Sequence, residues 1–155
     1  MSCSNKILFV DDDETVLSGF QLTLGRSFEI CVSSSVTEAL EVFEEQGPFA
    51  ALVSDFQMPV MNGAEFLQKI REMDKEVVTM LLTGAANFEN VSETVHRGQI
   101  FRLLGKPCSA EKMKEHIEAA LRQYELIRAE KDMLEQTLNG AIRAMPSILA
   151  ASKPL

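Results

Sequence analysis

The chain has 155 residues and a formal net charge of −8, with 46% hydrophobic and 25% charged residues. This length and apolar content suit one packed domain and exclude a disordered chain. The acidic balance argues against general binding to nucleic acid or to an anionic membrane, since both need a basic surface. No apolar run approaches the ~20 residues that cross a bilayer, and no secretory signal precedes the first strand-like segment. Cys3, Cys31 and Cys108 are isolated in the sequence and fit free thiols, so we expect a cytoplasmic protein.

Short apolar segments recur along the chain and predict five β-strands. Several of them are nearly continuous apolar runs, as expected for strands that are buried on both faces of a parallel sheet. The second segment alternates apolar and polar residues, which is typical of an edge strand. The predicted strands are Lys6–Val10, Phe28–Val32, Ala50–Ser54, Val77–Leu82 and Ile100–Leu104.

The segments between these strands carry apolar residues every three or four positions, which predicts amphipathic helices. Ser35 and Asn62 each precede a glutamate by three residues, the spacing of a capping box, and Ser109 can cap the fifth helix. Gly98 can end the fourth helix. The periodic apolar positions are Val16, Leu17, Phe20 and Leu24; Val36, Ala39, Leu40 and Phe43; Phe66, Leu67, Ile70 and Met73; and Phe88, Val91 and Val95.

The alternation of strands and helices predicts the fold class. Strands joined by right-handed helical crossovers form a parallel sheet with helices on both faces. We therefore expect an α/β protein of the flavodoxin-like (βα)5 type, doubly wound, with strand order 2-1-3-4-5. In such folds, ligands bind at the carboxyl ends of the strands, near the point where the strand order reverses.

The fifth helix does not stop where the domain should close. From Met113 its apolar positions continue in steps of three and four, with Lys131 filling one position, which is a weak heptad pattern. We expect Asn139-Gly140 to end this helix and Pro146 to block its continuation. We divide the chain into a domain over residues 1–122 and a helical extension over residues 123–155. The continuing apolar positions are Ile117, Ala120, Tyr124, Ile127, Leu134 and Leu138.

Polar residues follow four of the predicted strands and should meet at one edge of the sheet. Clustered carboxylates repel one another unless a cation joins them, and Mg²⁺ is the natural candidate for oxygen ligands. An aspartate can act as a nucleophile and form an aspartyl phosphate, whose charge needs a metal, an ammonium and a hydrogen-bond donor. Each aspartate alone could equally be an ordinary helix cap. The residues are Asp11, Asp12, Asp13, Asp55, Thr83 and Lys106.

Four motifs in register resemble the receiver domain of two-component response regulators over about residues 5–122. They are ILFVDDDETVL (Ile7–Leu17), LVSDFQMPVMNG (Leu52–Gly63), MLLTG (Met80–Gly84) and LLGKP (Leu103–Pro107).

This resemblance implies a role for each matched residue. Asp55 would accept the phosphoryl group, and Asp11 and Asp12 would hold Mg²⁺ together with Asp55 and the backbone carbonyl of Gln57. Thr83 would hydrogen-bond the phosphoryl group, and Lys106 would pair with one of the phosphoryl oxygens. The Lys106–Pro107 peptide bond would be cis. These site residues are Asp11, Asp12, Asp55, Gln57, Thr83 and Lys106.

The chain departs from the family pattern at one position of the fifth strand. The family usually has Tyr or Phe three residues before the conserved lysine, whereas this chain has Leu103. Phe101 lies two residues earlier and should point to the same face of the strand. The usual coupling between an aromatic side chain and Thr83 is therefore in question, although phosphorylation is not.

A second resemblance concerns the end of the domain. GQIFRLLGKPC (Gly98–Cys108) and the following helix (Leu121–Ile142) are similar to receivers joined to HD-type phosphohydrolase domains. His96 and His116 are the chain's two histidines, and neither adjoins an aspartate, so no HD metal pair exists in this sequence. We expect both histidines to be ordinary helix-surface residues, and any HD-type output domain to lie beyond Leu155.

These observations lead to three competing hypotheses. The first is a phosphorylation-dependent signalling switch that takes its phosphoryl group from a histidine kinase or phosphotransfer protein. It catalyses only its own phosphorylation and dephosphorylation, and its extended helix pairs with a second copy or docks an output domain. The second is a haloacid-dehalogenase-like phosphatase, with Asp11 as nucleophile and Asp13 as acid/base, because residues 11–15 also fit D-x-D-x-T. The third is a pseudo-receiver that binds proteins without phosphorylation.

Overall fold

The computed structural model describes residues 5–84, 91 and 100–152, with side chains up to residue 140. Five strands form one parallel sheet in the order β2-β1-β3-β4-β5. The predicted flavodoxin-like topology is thereby confirmed. The strands are β1 (Lys6–Val10), β2 (Glu29–Ser33), β3 (Ala51–Asp55), β4 (Val78–Thr83) and β5 (Arg102–Gly105).

Four helices are described, and their starts follow the predicted caps. The Ser35 and Asn62 side chains accept from the backbone N–H of Glu38 and Glu65, as the capping-box spacing predicts. The predicted fourth helix, with Phe88, Val95 and Gly98, falls outside the described residues except for Val91, which is helical and buried. The helices are α1 (Glu14–Leu24), α2 (Val36–Gln46), α3 (Gly63–Met73) and α4 (Ala110–Ser152).

The strands after β1 are shifted by one or two residues from their predicted positions. Apolar alternation locates a strand, but backbone hydrogen bonds decide where it ends. Ser33, Asp55 and Thr83 still pair with neighbouring strands, so β2, β3 and β4 each include one polar residue at the carboxyl end. The shift matters because it makes Asp55 and Thr83 part of the sheet rather than of the loops.

Two hydrophobic layers cover the two faces of the sheet. One layer joins α1 and α4 to the sheet through residues such as Phe20 and Ile117. The other joins α2 and α3 through residues such as Phe43 and Phe66. β3 and β4 are buried along their whole length, whereas β2 is half-buried, as its edge position predicts.

The predicted end of the last helix at Asn139-Gly140 is wrong. α4 is continuous over 43 residues, from Ala110 to Ser152, and runs through both Gly140 and Pro146. Glycine costs a helix about 1 kcal/mol relative to alanine, and proline removes one hydrogen bond and kinks the chain. Each is a finite penalty rather than an obligatory stop. The helix also crosses residue 122 without interruption.

Two cis peptide bonds, the cysteines and the apolar content of the helices can be compared with the predictions. The Lys106–Pro107 bond is cis, as expected, and the Gly47–Pro48 bond is cis as well. Cys31 and Cys108 are free thiols, and Cys3 lies outside the described residues. Within residues 5–84, 91 and 100–152, no helix is both long and apolar enough to cross a membrane.

Candidate functional site

The carboxyl edge of the sheet brings the predicted polar residues together. β1 leads into Asp11 and Asp12, and β3 ends in Asp55. β4 ends in Thr83, and Lys106 follows the last residue of β5. Parallel strands end on the same side of a sheet, so these side chains share one cleft.

Lys106 bridges the two buried carboxylates of the cleft. Its Nζ lies 2.7 Å from Asp55 Oδ1 and 3.9 Å from Asp11 Oδ2. Partial burial disfavours the charged ammonium. The hydrogen bond to Asp55 and the charges of Asp11 and Asp55 outweigh it and raise the pKa of Lys106 above its usual value. Lys106 therefore stays protonated and holds a fixed positive charge beside Asp55.

Asp11 is the least compensated group in the site. Burial raises its pKa from 3.8 to about 6, opposed by a 2.9 Å hydrogen bond from the Asp13 N–H and assisted by the Asp55 charge. Asp11 Oδ2 is buried and accepts no hydrogen bond from any residue that the structure describes. A buried carboxylate oxygen without a donor is a strong place for a cation to bind.

Three carboxylates could hold that cation. Oxygens of Asp11, Asp12 and Asp55 lie within 4.8 Å of one another. Gln57 is exposed and lines a shallow cavity together with Asp12, which puts its segment next to the acidic group. All these ligand atoms are oxygens, the donor type that Mg²⁺ prefers, so the residues present fit a magnesium ion.

Thr83 completes the edge from the fourth strand. It is buried, its hydroxyl donates to the Gly84 carbonyl at 3.3 Å, and its own carbonyl accepts from the Lys106 N–H at 2.8 Å. The long hydroxyl contact is weak and leaves the hydroxyl able to find a better acceptor. The backbone bond ties the positions of Thr83 and Lys106 to each other.

Asp13 caps a helix and is not one of the clustered carboxylates. Its side chain accepts the Thr15 N–H at 2.9 Å and caps α1. Of the aspartates that could each have been an ordinary helix cap, Asp13 is thus an N-cap, one residue before the helix. This role leaves the metal-binding group to Asp11, Asp12 and Asp55.

Gly63 is a site residue that sequence reasoning did not single out. A Cβ at Gly63 would collide with the Asp55 carbonyl oxygen and come within 2.7 Å of Leu81 Cδ1. The Gly63 N–H donates to Phe56 O at 2.7 Å, which anchors the start of α3 against the loop after Asp55. The signal was present as the glycine after the capping residue Asn62.

Leu103, the residue that departs from the family pattern, and Phe101 lie in and next to the fifth strand. Leu103 is half-buried and packs with the layer that contains Val91 and Ile100. Phe101 precedes β5, is 36% exposed, and has the Arg102 guanidinium 5.2 Å from its ring centroid. His116 contacts Arg102 at 3.1 Å on the helix surface, while His96 lies outside the described residues.

Comparison with known proteins identifies the family. The response regulator receiver domain family matches residues 7–118. The chain belongs to this family. Receiver domains serve as signalling switches in two-component systems rather than as enzymes with a separate substrate, and they typically bind Mg²⁺ at an acidic pocket. This receiver has such a pocket in Asp11, Asp12 and Asp55.

Individual relatives agree with the assignment. The hydrogenase transcriptional regulatory protein HoxA of Cupriavidus necator is 30% identical over 65% of this chain, which spans 21% of that protein. A crystal structure described as an adenylate cyclase from Rhodopirellula baltica is 34% identical, with a TM-score of 0.83 over 86% of this chain and 98% of that chain. The signal receiver domain of an HD domain-containing protein from Pseudomonas fluorescens has the same fold, with 23% identity, a TM-score of 0.75 and coverage of 83% and 95%.

Proposed function

We propose that Asp55 is the phosphoryl acceptor of this receiver and that a histidine kinase or phosphotransfer protein is the donor. The observation that carries the proposal is the 2.7 Å contact between Lys106 Nζ and Asp55 Oδ1, beside the Asp11 oxygen that accepts no hydrogen bond from the described residues. The site thus offers a nucleophile, a fixed ammonium and a place for a cation within one cleft.

The chemistry requires one bond to form as another breaks. An oxygen of Asp55 attacks the phosphorus of a phosphohistidine, and the nitrogen–phosphorus electron pair leaves with a neutral imidazole whose other nitrogen is protonated. Lys106 pairs with a phosphoryl oxygen, and Thr83 turns its hydroxyl towards the phosphoryl group. Asp11, Asp12 and Asp55, with the Gln57 carbonyl, would hold Mg²⁺, which would supply positive charge there. Attack of water on the aspartyl phosphate would reverse the switch, so the chain turns over only its own phosphoryl group.

An apolar groove next to Lys106 provides a docking place for the phosphodonor. Its volume is about 700 Å³, and it runs between α1 and the segment after Lys106. Val16, Gly19 and Phe20 line one side, and Pro107 and Cys108 line the other. A helix of the donor lying in this groove would bring its histidine next to Lys106, which contacts Asp55.

The C-terminal part of the chain passes the signal to a partner or to an output domain. We assign residues 1–122 to the receiver and residues 123–155 to a helical extension that pairs with a second copy or leads to an HD-type output domain. Leu134 and Leu138 of the extension are 63% and 59% exposed, which supports an apolar helix-to-helix contact. The net charge of −8 favours a cytoplasmic role without nucleic acid or membrane contact.

Beryllofluoride binding tests the proposed function, because this compound mimics a phosphoryl group on a carboxylate. Fluorine NMR should show saturable, Mg²⁺-dependent binding to the wild-type protein and none to Asp55→Asn. Mass measurement by light scattering on the same samples reports whether occupancy of Asp55 changes self-association.

The two rival functions predict different results. A pseudo-receiver would bind no beryllofluoride. A phosphatase working from Asp11 would hydrolyse a phosphomonoester, lose that activity in Asp11→Asn and keep it in Asp55→Asn. The capping bond that Asp13 Oδ1 accepts from the Thr15 N–H counts against the phosphatase, since that hypothesis needs Asp13 as acid/base.

A further inference from the structure

A second charge cluster lies at the opposite end of β4 from Thr83. Glu76 Oε2 is 2.8 Å from Arg128 Nη1, and Glu76 Oε1 is 2.8 Å from Lys131 Nζ. We call Glu76, Arg128 and Lys131 the Glu76 clamp. It joins the loop between α3 and β4 to the C-terminal helix across 52 positions of sequence.

The loop side of the clamp is held rigidly. The Glu76 N–H donates to Asp74 Oδ1 at 2.8 Å, and the Asp74 N–H donates to the Ile70 carbonyl at the end of α3. Arg71 Nη1 donates to the Val77 carbonyl at 3.1 Å. These bonds hold the backbone on both sides of Glu76 in place next to α4.

Among the residues with described side chains, the clamp is also the last contact that α4 makes with the receiver. Tyr124 is buried in the core layer and Ile127 is half-buried against it, whereas every residue from 129 to 140 is exposed. Arg128 and Lys131 therefore sit where the helix leaves the domain. A change in their pairing with Glu76 would alter the direction or the order of the extension that follows.

One buried strand connects this clamp to the phosphorylation site. β4 begins at Val78, two residues after Glu76, and ends at Thr83, and all of its residues are buried. We propose that β4 transmits the state of Asp55 from Thr83 to Glu76, and that the Glu76 clamp is the contact through which the helical extension receives it. This inference rests on the proposed function, since it requires Thr83 to respond to a phosphoryl group on Asp55.

Two observations favour this route. The usual aromatic partner of the threonine is absent, because Leu103 occupies that position of β5. A cavity of about 160 Å³ lies beside the clamp end of the strand, lined by Val77 and Val78 on one side and by Gln123 and Ile127 of α4 on the other. This partly open cavity gives the helix room to move by a small amount without displacing packed atoms, and interfaces respond to such shifts by switching contacts.

Hydrogen exchange with and without beryllofluoride and Mg²⁺ tests the inference. Fluorine NMR first establishes that the ligand binds each variant. In the wild-type protein, binding should change the exchange rate of amides in residues 128–138 by about fivefold or more. In Glu76→Gln these amides should exchange faster from the outset, and the response to the ligand should be lost although binding persists.

Glu135→Gln is the matched control, because Glu135 is the other acidic neighbour of Lys131, at 4.0 Å and 58% exposed. It should keep the wild-type response. An unchanged response in Glu76→Gln would overturn the clamp as the output contact, and binding without any response in the wild-type protein would overturn transmission along β4. Both results leave the proposed function standing. Failure of beryllofluoride to bind wild-type protein would instead remove the proposed function and this inference with it.

Discussion

The two edges of the sheet, where its strands end and where β4 begins, have opposite charge balances. At the carboxyl edge, three carboxylates surround one ammonium, and burial raises the pKa of Asp11 to about 6. At the other edge, one carboxylate lies between two cations. There the Lys131 ammonium, 2.8 Å from Glu76 Oε1, lowers the pKa of Glu76, partial burial opposes this shift, and Arg128 adds to it. The first edge has too little positive charge to balance its carboxylates and would bind a cation. At the second edge, Arg128 and Lys131 neutralise the Glu76 carboxylate. Unbalanced charge lies at the edge that holds the proposed phosphorylation site, and balanced charge lies at the edge where the helical extension leaves the domain.

Replacing Asp55 should have the largest effect, because it removes the proposed nucleophile from the unbalanced edge. Asp55→Asn should reduce labelling by radioactive acetyl phosphate by at least about a hundredfold, to background. Acid-stable and base-labile label on gel-separated protein provides the measurement. Asp13→Asn is the control: asparagine also caps helices, and labelling should stay near the wild-type level. Equal loss in both variants would contradict the distinction drawn between these two aspartates.

Gly63→Ala should break the packing that supports the reactive edge. The added methyl would meet the Asp55 carbonyl oxygen and Leu81 Cδ1, so we expect the free energy of unfolding to fall by about 3 kcal/mol. Urea denaturation at one pH measures it. Gly19→Ala is the matched control, because Gly19 is in α1 with no atom within 4 Å of a built Cβ. That change should raise the free energy of unfolding by about 0.5–1 kcal/mol, and a loss there would refute the steric explanation.

The raised pKa of Asp11 makes stability depend on pH in a defined direction. Between pH 3.8 and about 6, this carboxyl binds more protons in the folded protein than in the unfolded chain. Its contribution to the free energy of unfolding therefore falls as pH rises through this interval and stays low above it. Asp11→Asn removes the buried charge and keeps an oxygen for the Asp13 N–H, so it should stabilise the protein by about 2 kcal/mol at pH 8 without divalent cations.

Denaturation at pH 4 and pH 8 separates this effect from a change in packing. The gain in Asp11→Asn should shrink towards zero at pH 4, and Mg²⁺ at pH 8 should stabilise only the wild-type protein. A gain of the same size at both pH values would show that charge at Asp11 is not the cause.

Breaking the Glu76 clamp should have the smallest effect on stability. Glu76→Gln should lower the thermal midpoint by about 2 °C at pH 7, since partly exposed ion pairs contribute little. Because the pKa of Glu76 is lowered on folding, its contribution is present above pH 4.5 and disappears as pH falls through the lower folded pKa. Calorimetry at pH 7 and pH 3 should therefore show a smaller difference from wild type at pH 3 than at pH 7. A large drop at both would make Glu76 part of the core rather than of a surface clamp.

The reactive edge could be predicted from sequence, and the clamp could not. Asp11, Asp55, Thr83 and Lys106 each follow a strand that apolar patterning locates, and parallel topology then brings them together. The clamp pairs Glu76 with Arg128, and no local period relates residues so far apart. Pairing of that kind depends on where α4 packs, which only the folded core decides.

The same contrast explains the errors in the predicted elements. Capping at Ser35 and Asn62 was predicted correctly because a cap is a contact between residues three apart. The continuation of α4 through Gly140 was missed because a local rule treats glycine as a stop. The steric need for Gly63 was missed because Asp55 and Leu81 lie on neighbouring strands, and their approach to α3 is a property of tertiary packing.

Chemical localisation of the phosphoryl group tests the central claim most directly. Borohydride reduces an aspartyl phosphate to homoserine, and peptide mass spectrometry of the reduced protein then identifies the residue. After incubation with acetyl phosphate and Mg²⁺, we predict homoserine at position 55 and unmodified aspartate at positions 11, 12 and 13. Homoserine at position 11, or a labelled protein without homoserine at position 55, would contradict the account of the reactive edge.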